Sequence, residues 1–203
     1  TTCCASGHSP EPPVESNIVK QPPLTQVPPP LLRVGDYEQL ARQHMDPAVW
    51  AYLQGGSGDE LTLRANVQAF DQLQLWPRPL RDLRHGHTGT RLAGQDWPMP
   101  LMLAPVGHQR LFHPEGERAT ALAAHVTGTP LLLSSLSSTP FAQVTAQTTA
   151  PVWLQLYWSP DRALMLARVR LAEASGLQAL VLTVDAPLSG LRYRQQQAGF
   201  VLP

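Results

Sequence analysis

Short apolar runs alternate with helical stretches from residue 100 onward, and this alternation limits the folds open to the chain. The runs cover residues 101–104, 131–133, 152–156 and 179–184. Each run is too short for a buried helix, and none shows the polar and apolar alternation of a half-exposed strand. Because the runs begin about 20 to 30 residues apart, the repeat of a βα unit, they predict parallel strands joined by right-handed crossovers in one sheet.

Helix signals fill the intervals between these runs. Pro and acidic residues near 114 open one helix that ends at Gly128, a second begins after residues 139–140, and a third spans 159–176. Along the third helix runs an apolar stripe of Leu164, Ala167, Leu171 and Ala174. Four βα units form either a small doubly wound sheet or half of an eight-stranded barrel, and spacing alone leaves both open. In both folds the ligand site lies beyond the carboxyl ends of the strands.

Three short helices and a hairpin are predicted ahead of the βα units. Asp36, Asp46 and Asp59 are each placed to cap a helix, and Pro47 follows the second cap at the first helical position. Residues 93–94, Ala-Gly, separate two short extended segments and indicate a hairpin.

Composition narrows the class of partner. Residues 1–32 are rich in proline, so we predict a disordered leader there and a folded domain over 33–203. The 15 basic and 15 acidic residues cancel, which argues against nucleic acid or an anionic membrane as a partner, and no apolar run predicts a transmembrane segment.

Cys3 and Cys4 are adjacent and leave the core without a cross-link, so a cytoplasmic location is expected. The first residue is Thr, which leaves a processed or exported form open.

Polar residues cluster where the predicted strands end. Because side chains two apart on a strand share a face, Gln155 lies on the face of Tyr157, and Thr183 on the face of Asp185. Together with Ser134 they make a site that can hydrogen-bond a polar planar ligand. The alternative is that Ser134, Gln155 and Thr183 only satisfy one another inside a barrel.

Other motifs are weaker. The turn at 105–107 offers a backbone that a flat ligand can approach. No GxGxxG or GxxxxGK[ST] fingerprint is present, so neither a Rossmann site nor a P-loop is predicted. His108 and His113 are candidate bases without an evident carboxylate to orient them. His85 and His87 lack further ligands nearby, so no metal site is predicted.

Five motifs follow one another along the chain: YLQGGSGDELTLRAN, MPLMLAPVGHQRLFHPEGE, LLLSSLSST, WLQLYWSPDR and LVLTVDAPLSGLRYR. Together they resemble the FMN-dependent α-hydroxy acid oxidase and dehydrogenase family, which includes glycolate oxidase, lactate oxidase and mandelate dehydrogenase. The resemblance covers residues 34–203. It implies an α/β fold, the TIM (β/α)8 barrel, of which this chain supplies the amino-terminal helices, a bottom hairpin and the first four βα units.

The resemblance also implies FMN as the cofactor. The positions that it matches to the flavin site are Pro105, Val106, Gly107, Ser134, Gln155 and Thr183.

Four further residues match the substrate side and the catalytic centre of the family. Tyr52 would hold the substrate carboxylate, Tyr157 the hydroxyl end near the reacting atoms, and Arg192 would place positive charge over the site. Asp185 would orient the catalytic histidine and stabilise it once protonated. Leu136 stands where glycolate-oxidase-like members carry Trp, which implies a differently shaped substrate pocket.

The implied reaction is oxidation of an L-2-hydroxy acid to a 2-keto acid, in which a histidine removes a proton and two electrons reach the flavin. In the family that histidine lies in the last four βα units. We therefore expect this chain to stop in the loop after strand four and to be inactive alone. Its expected partners are a small 2-hydroxy acid and the carboxyl-terminal half of the barrel as a second polypeptide, with a homo-oligomer once complete. The alternatives are a non-catalytic fragment or interaction module, and a phosphosugar-type barrel enzyme without flavin.

Overall fold

A computed structural model describes residues 20–186 and 188–202 of the chain. The first part of the predicted leader, with the Cys3-Cys4 pair, lies outside the described residues. Within the described residues, no helix is long and apolar enough to cross a bilayer.

The described part of the predicted leader, residues 20–32, contains neither helix nor strand. It is nevertheless attached to the helix that follows. The Gln21 N–H donates to the carbonyl of Gln43 at 2.9 Å, and His44 Nδ1 lies 2.6 Å from the carbonyl oxygen of Pro22. This segment therefore lies against the folded domain.

Three helices follow this segment: α1 (Val34–His44), α2 (Pro47–Gln54) and α3 (Leu61–Asp71). The Asp46 cap of α2 is confirmed, because its carboxylate accepts from the backbone N–H groups of Ala48 and Val49 at 2.8 and 3.3 Å. Such a cap satisfies N–H groups that have no partner inside the helix.

The other two predicted caps are wrong. Asp36 lies inside the first turn of α1, and its carboxylate reaches back to the N–H groups of Leu32 and Arg33. At α3 the residue before the helix is Glu60, in a left-handed conformation with φ of 59°. The helix therefore begins one residue later than a cap at Asp59 would give. The Glu60 carboxylate accepts from the Gly56 N–H at 3.0 Å.

A hairpin of β1 (Thr90–Leu92) and β2 (Gln95–Trp97) confirms the predicted turn. Ala93 and Gly94 have φ of 49° and 77°, the positive values that a tight two-residue turn requires. The Trp97 ring packs edge-on against Trp153, with ring centroids 5.6 Å apart. Because Trp153 lies near the amino end of its strand, the hairpin lies at the bottom of the sheet.

The second half of the chain alternates helices and parallel strands as predicted. Its elements are α4 (Glu117–Thr127), β3 (Leu131–Ser134), α5 (Phe141–Thr145), β4 (Val152–Tyr157), α6 (Arg162–Ala174), β5 (Leu180–Thr183) and α7 (Tyr193–Gln197). The strands β3, β4 and β5 form a parallel sheet in that order. Helix α4 begins three residues after Pro114, which leaves the 114–116 segment as a turn.

The predicted first strand, 101–104, is reduced to one parallel bridge between Leu103 and Leu131. Its place beside β3 is right, but it is shorter than expected. Pro100 and Pro105 bound the segment and cannot donate to a strand ladder, which limits its length.

The hydrophobic core lies between the sheet and the helices. Leu131, Leu133, Val152 and Leu154 are buried, with exposed fractions of 3% or less, against the α4, α5 and α6 side. The apolar stripe of α6 is not the face that packs here, because Leu164 and Leu171 are exposed while Met165, Val169 and Ala172 lie against the sheet. The opposite face of the sheet carries the polar residues discussed next.

Candidate active site

A row of polar side chains crosses the sheet on the face away from the helices. In the strand register, Ser134 of β3 is level with Gln155 of β4, and Thr183 of β5 is level with Tyr157 of β4. The Ser134 hydroxyl donates to Gln155 Oε1 at 3.4 Å, and Gln155 Nε2 donates to Thr183 Oγ1 at 2.8 Å. The sequence-based grouping of these three residues is therefore confirmed, and they hydrogen-bond one another, as the alternative without a ligand also expects.

This polar row keeps hydrogen-bonding capacity to spare. Gln155 has a second amide hydrogen and Thr183 a hydroxyl hydrogen, and neither donates to another group among the described residues. Ser134 Oγ also accepts from the Leu136 N–H at 3.1 Å. Because Gln155 is only 4% exposed, its spare amide hydrogen lies in surroundings with little competing water, while Thr183 is partly buried.

The turn at Pro105, Val106 and Gly107 lies beside the loop after β3. The His108 N–H donates to the carbonyl of Leu136 at 2.9 Å, which ties the two loops together. A Cβ atom on Gly107 would lie 3.0 Å from Leu136 Cβ and 3.6 Å from Ser134 Oγ. The absent side chain thus allows close approach of the two loops. Val106 and Leu136 beside it remain 42% and 41% exposed.

Tyr52 and Arg192, which are far apart in sequence, lie together. The Arg192 guanidinium lies 4.7 Å from the centroid of the Tyr52 ring, and Phe200 stacks on that ring at 4.8 Å. Arg192 also donates to the carbonyl of Tyr52 and, at 2.6 Å, to that of Gly55 at the end of α2. Part of its charge is therefore directed at backbone carbonyls, and its predicted contribution of positive charge over the substrate site stays a prediction.

Tyr157 is the last residue of β4, and Asp185 follows the carboxyl end of the neighbouring strand β5. Tyr157 is 41% exposed and, with Thr183 and Val184, borders a cavity of about 440 Å³. Asp185 comes two residues after Thr183 and is exposed. Both lie at the edge of the sheet where a ligand was expected.

Glu117 is a residue that sequence reasoning missed. It opens α4, is fully buried at 0% exposure and forms no ion pair with any residue in the described ranges. Its carboxylate accepts from Thr139 Oγ1 at 2.7 Å, from the Ser138 N–H at 2.8 Å and from the Gln109 N–H at 3.3 Å. The only signal in the sequence was an acidic residue in a first helical turn, which usually faces water.

The hydrogen bonds to Glu117 decide its charge. Burial alone would raise the pKa of this carboxyl, but the donors from Thr139, Ser138 and its own backbone N–H outweigh burial and hold the pKa below the usual value of 4.5. Glu117 is therefore a buried anion stabilised by neutral donors.

We predict that Gly107→Ala destabilises the fold because the new Cβ meets Leu136. The expected loss in the free energy of unfolding is about 1–3 kcal/mol, the usual cost of overpacking. Urea denaturation of Gly107→Ala, Leu136→Gly and the double variant should give a coupling of about 0.5–3 kcal/mol. Gly35→Ala, with open space around its Cβ, is the matched control. Strictly additive effects would show that Leu136 does not limit residue 107.

We also predict that Glu117 makes the free energy of unfolding depend on pH in the acidic range. Because its pKa is lower in the folded chain than the unfolded value of 4.5, its contribution is present above that pH and is lost as pH falls through the folded pKa. The free energies of unfolding of the wild type and Glu117→Gln, measured by urea denaturation across this range, should converge as pH falls. Curves that stay parallel would contradict the assignment.

Known proteins resemble this chain over most of its length. The model of the FMN-dependent dehydrogenase family matches residues 41–203. An L-lactate oxidase from Alicycliphilus denitrificans is 46% identical over 89% of the chain and 50% of the relative. A 4-hydroxymandelate oxidase from Amycolatopsis orientalis is 42% identical over 84% of the chain and 47% of the relative.

Among solved structures, a mandelate oxidase variant with an FMN adduct is similar, with a TM-score of 0.78 and 41% identity over 83% of the chain and 51% of that protein. The chain thus spans about half the length of the relatives that it matches. The match confirms the predicted (β/α)8 barrel, of which the chain supplies an amino-terminal portion, and FMN is the cofactor of the family. This chain belongs to the FMN-dependent dehydrogenase family.

Proposed function

We propose that this chain forms the amino-terminal part of an enzyme that oxidises a 2-hydroxy acid to a 2-keto acid with FMN. The observation that carries the proposal is the polar row of Ser134, Gln155 and Thr183 on the inner face of the sheet. The names of its relatives, lactate and hydroxymandelate oxidases, support the substrate class.

The polar row fits the flavin ring in its hydrogen-bonding chemistry. An oxidised isoalloxazine ring presents two carbonyl oxygens and the ring nitrogens N1 and N5, which accept hydrogen bonds. The spare donors on Gln155 and Thr183 suit those acceptors, and the turn at Gly107 brings backbone close without a side chain in the way. Pro105 and Val106 would complete this wall. When bound, FMN supplies the acceptor for the two electrons of the oxidation.

In this proposal two tyrosines, Tyr52 and Tyr157, form the substrate side. Arg192 and Phe200 both pack against the Tyr52 ring, so its hydroxyl can bind the substrate carboxylate from a rigid ring. Tyr157 projects from the same strand face as Gln155 and would hold the substrate hydroxyl. In this proposal Arg192 acts chiefly by holding Tyr52 and the end of α2.

The remainder of the barrel supplies the other half of the site in this proposal, including the histidine that Asp185 would orient. An unfinished edge supports this division. Leu180 and Leu182 on the helix side of β5 are 47% and 48% exposed, whereas Leu154 and Leu156 on the same face of β4 are 0% and 3% exposed. Further strands and helices, whether continuous with this chain or on a second polypeptide, would bury the exposed pair. Homo-oligomer formation and a cytoplasmic location stay predictions.

The proposal is tested by assembling a complete barrel. The chain is co-expressed with the carboxyl-terminal half of the Alicycliphilus denitrificans L-lactate oxidase, and that oxidase split at the same point serves as the positive control. The hybrid should bind FMN, and L-lactate or mandelate should bleach the flavin absorbance without oxygen. The chain alone should bind FMN poorly, because it lacks the other half of the site. It should also not bleach the flavin at an ordinary rate, because loss of a general base costs roughly 10²–10⁴-fold.

One substitution assigns the effect to the polar row. Gln155→Ala should weaken FMN binding by about 5- to 150-fold, since leaving a buried polar group without its partner costs about 1–3 kcal/mol. Gln147→Ala, at an exposed glutamine, should leave FMN binding unchanged. A hybrid that assembles as the control does but never binds FMN would overturn the proposal.

A further inference from the structure

Glu117 joins two loops that the proposed flavin site depends on. One runs from the first strand segment to α4 and contains residues 105–107; the other joins β3 to α5 and contains Leu136. The Glu117 carboxylate receives the Gln109 N–H from the first loop, at 3.3 Å, and the Ser138 N–H from the second, at 2.8 Å. A single buried carboxylate therefore bridges the two loops, in addition to the direct hydrogen bond from the His108 N–H to the Leu136 carbonyl.

Side chains extend this link to the turn itself. Gln109 Nε2 donates to the carbonyl of Val106 at 3.3 Å, and Gln109 Oε1 accepts from Thr120 Oγ1 of α4 at 2.6 Å. On the other side, the Ser138 hydroxyl lies within 3.0 Å of both Glu117 oxygens and 3.1 Å from the Arg110 N–H. The Val106 carbonyl is thus connected to α4 through Gln109, at the point where Glu117 anchors the loop backbone.

The geometry requires a side chain of glutamate's length, with an acceptor oxygen at Oε1 and a second polar atom at Oε2. Donors approach both oxygens of Glu117: the Gln109 and Ser138 N–H groups meet Oε1, and the Thr139 hydroxyl meets Oε2. An aspartate would withdraw both oxygens by one methylene and break these contacts together. A glutamine keeps one acceptor oxygen and the full length, and the Thr139 hydroxyl can turn to accept from its amide.

We propose that Glu117 is a positioning residue that fixes the flavin-side wall, holding residues 105–107 in place relative to Leu136. It touches neither the flavin nor the substrate in this proposal. The inference rests on the proposed function, because the wall matters to FMN only if FMN binds at the polar row. Its effect should therefore appear in the affinity for FMN, separately from its effect on stability.

The test uses the hybrid barrel described above, in four forms: wild type, Glu117→Asp, Glu117→Gln and the control Glu115→Asp. Glu115 is exposed and lies two residues away in the turn before α4. FMN dissociation constants are measured by quenching of flavin fluorescence, at a temperature where circular dichroism shows every variant folded. Glu117→Asp should weaken FMN binding by about 10- to 100-fold, the range expected for buried hydrogen bonds to a charged group. Glu117→Gln should restore affinity to within about 3-fold of the wild type, and Glu115→Asp should match the wild type.

The outcomes separate this inference from the proposed function. If the wild-type hybrid assembles without binding FMN, the proposed function fails and this inference with it. If the wild type binds FMN and Glu117→Asp binds it equally well, the proposed function stands and the positioning role is overturned. Equal losses in Glu117→Asp and Glu117→Gln would also overturn it, because length would then not be what matters. If Glu117→Asp does not fold, Gln109→Ala decides, because it removes the side chain that links the Val106 carbonyl to α4. A loss of at least about 10-fold in a folded protein supports the positioning of the wall, and affinity within about 3-fold of the wild type contradicts it.

Discussion

The in-register pairing of β3, β4 and β5 is the constraint on which the site depends. Parallel pairing puts Ser134 level with Gln155, and the two-residue period of a strand turns both toward the same face. The other face carries leucines that bury against helices. A slip of one residue would exchange the two faces, moving Gln155 into the apolar core and Leu154 into the site, so the hydrophobic core fixes the polar row as well.

Loops at the carboxyl edge of this sheet need support of their own, because only short strands precede them. The buried Glu117 provides it between the first two loops, and Arg192 provides it between the end of α2 and the segment before α7. Both residues use charge to bind neutral backbone groups. Charge-assisted hydrogen bonds are stronger than neutral ones, which suits residues that must hold loops firmly.

The features predicted correctly from the sequence are those that depend on neighbouring residues. Capping rules predicted the helix start at Asp46-Pro47, and turn geometry predicted the Ala93-Gly94 turn. The period of a strand, together with the common edge at which parallel strands end, predicted that Gln155 and Thr183 lie together. The sequence could not reveal that Glu117 is buried or that Arg192 binds carbonyls about 140 positions away, because tertiary packing decides both. Asp36 shows the same limit at short range, since a carboxylate in the first turn can serve the cap from inside the helix.

A crystal structure of the assembled barrel with FMN tests the central claim most directly. We predict that the flavin ring lies against the inner face of the sheet, with an acceptor atom within hydrogen-bonding distance, about 2.7–3.2 Å, of Gln155 Nε2 or Thr183 Oγ1. The backbone of residues 105–107 should flank the ring. A flavin bound elsewhere, with Gln155 and Thr183 still bonded only to each other, would contradict the account.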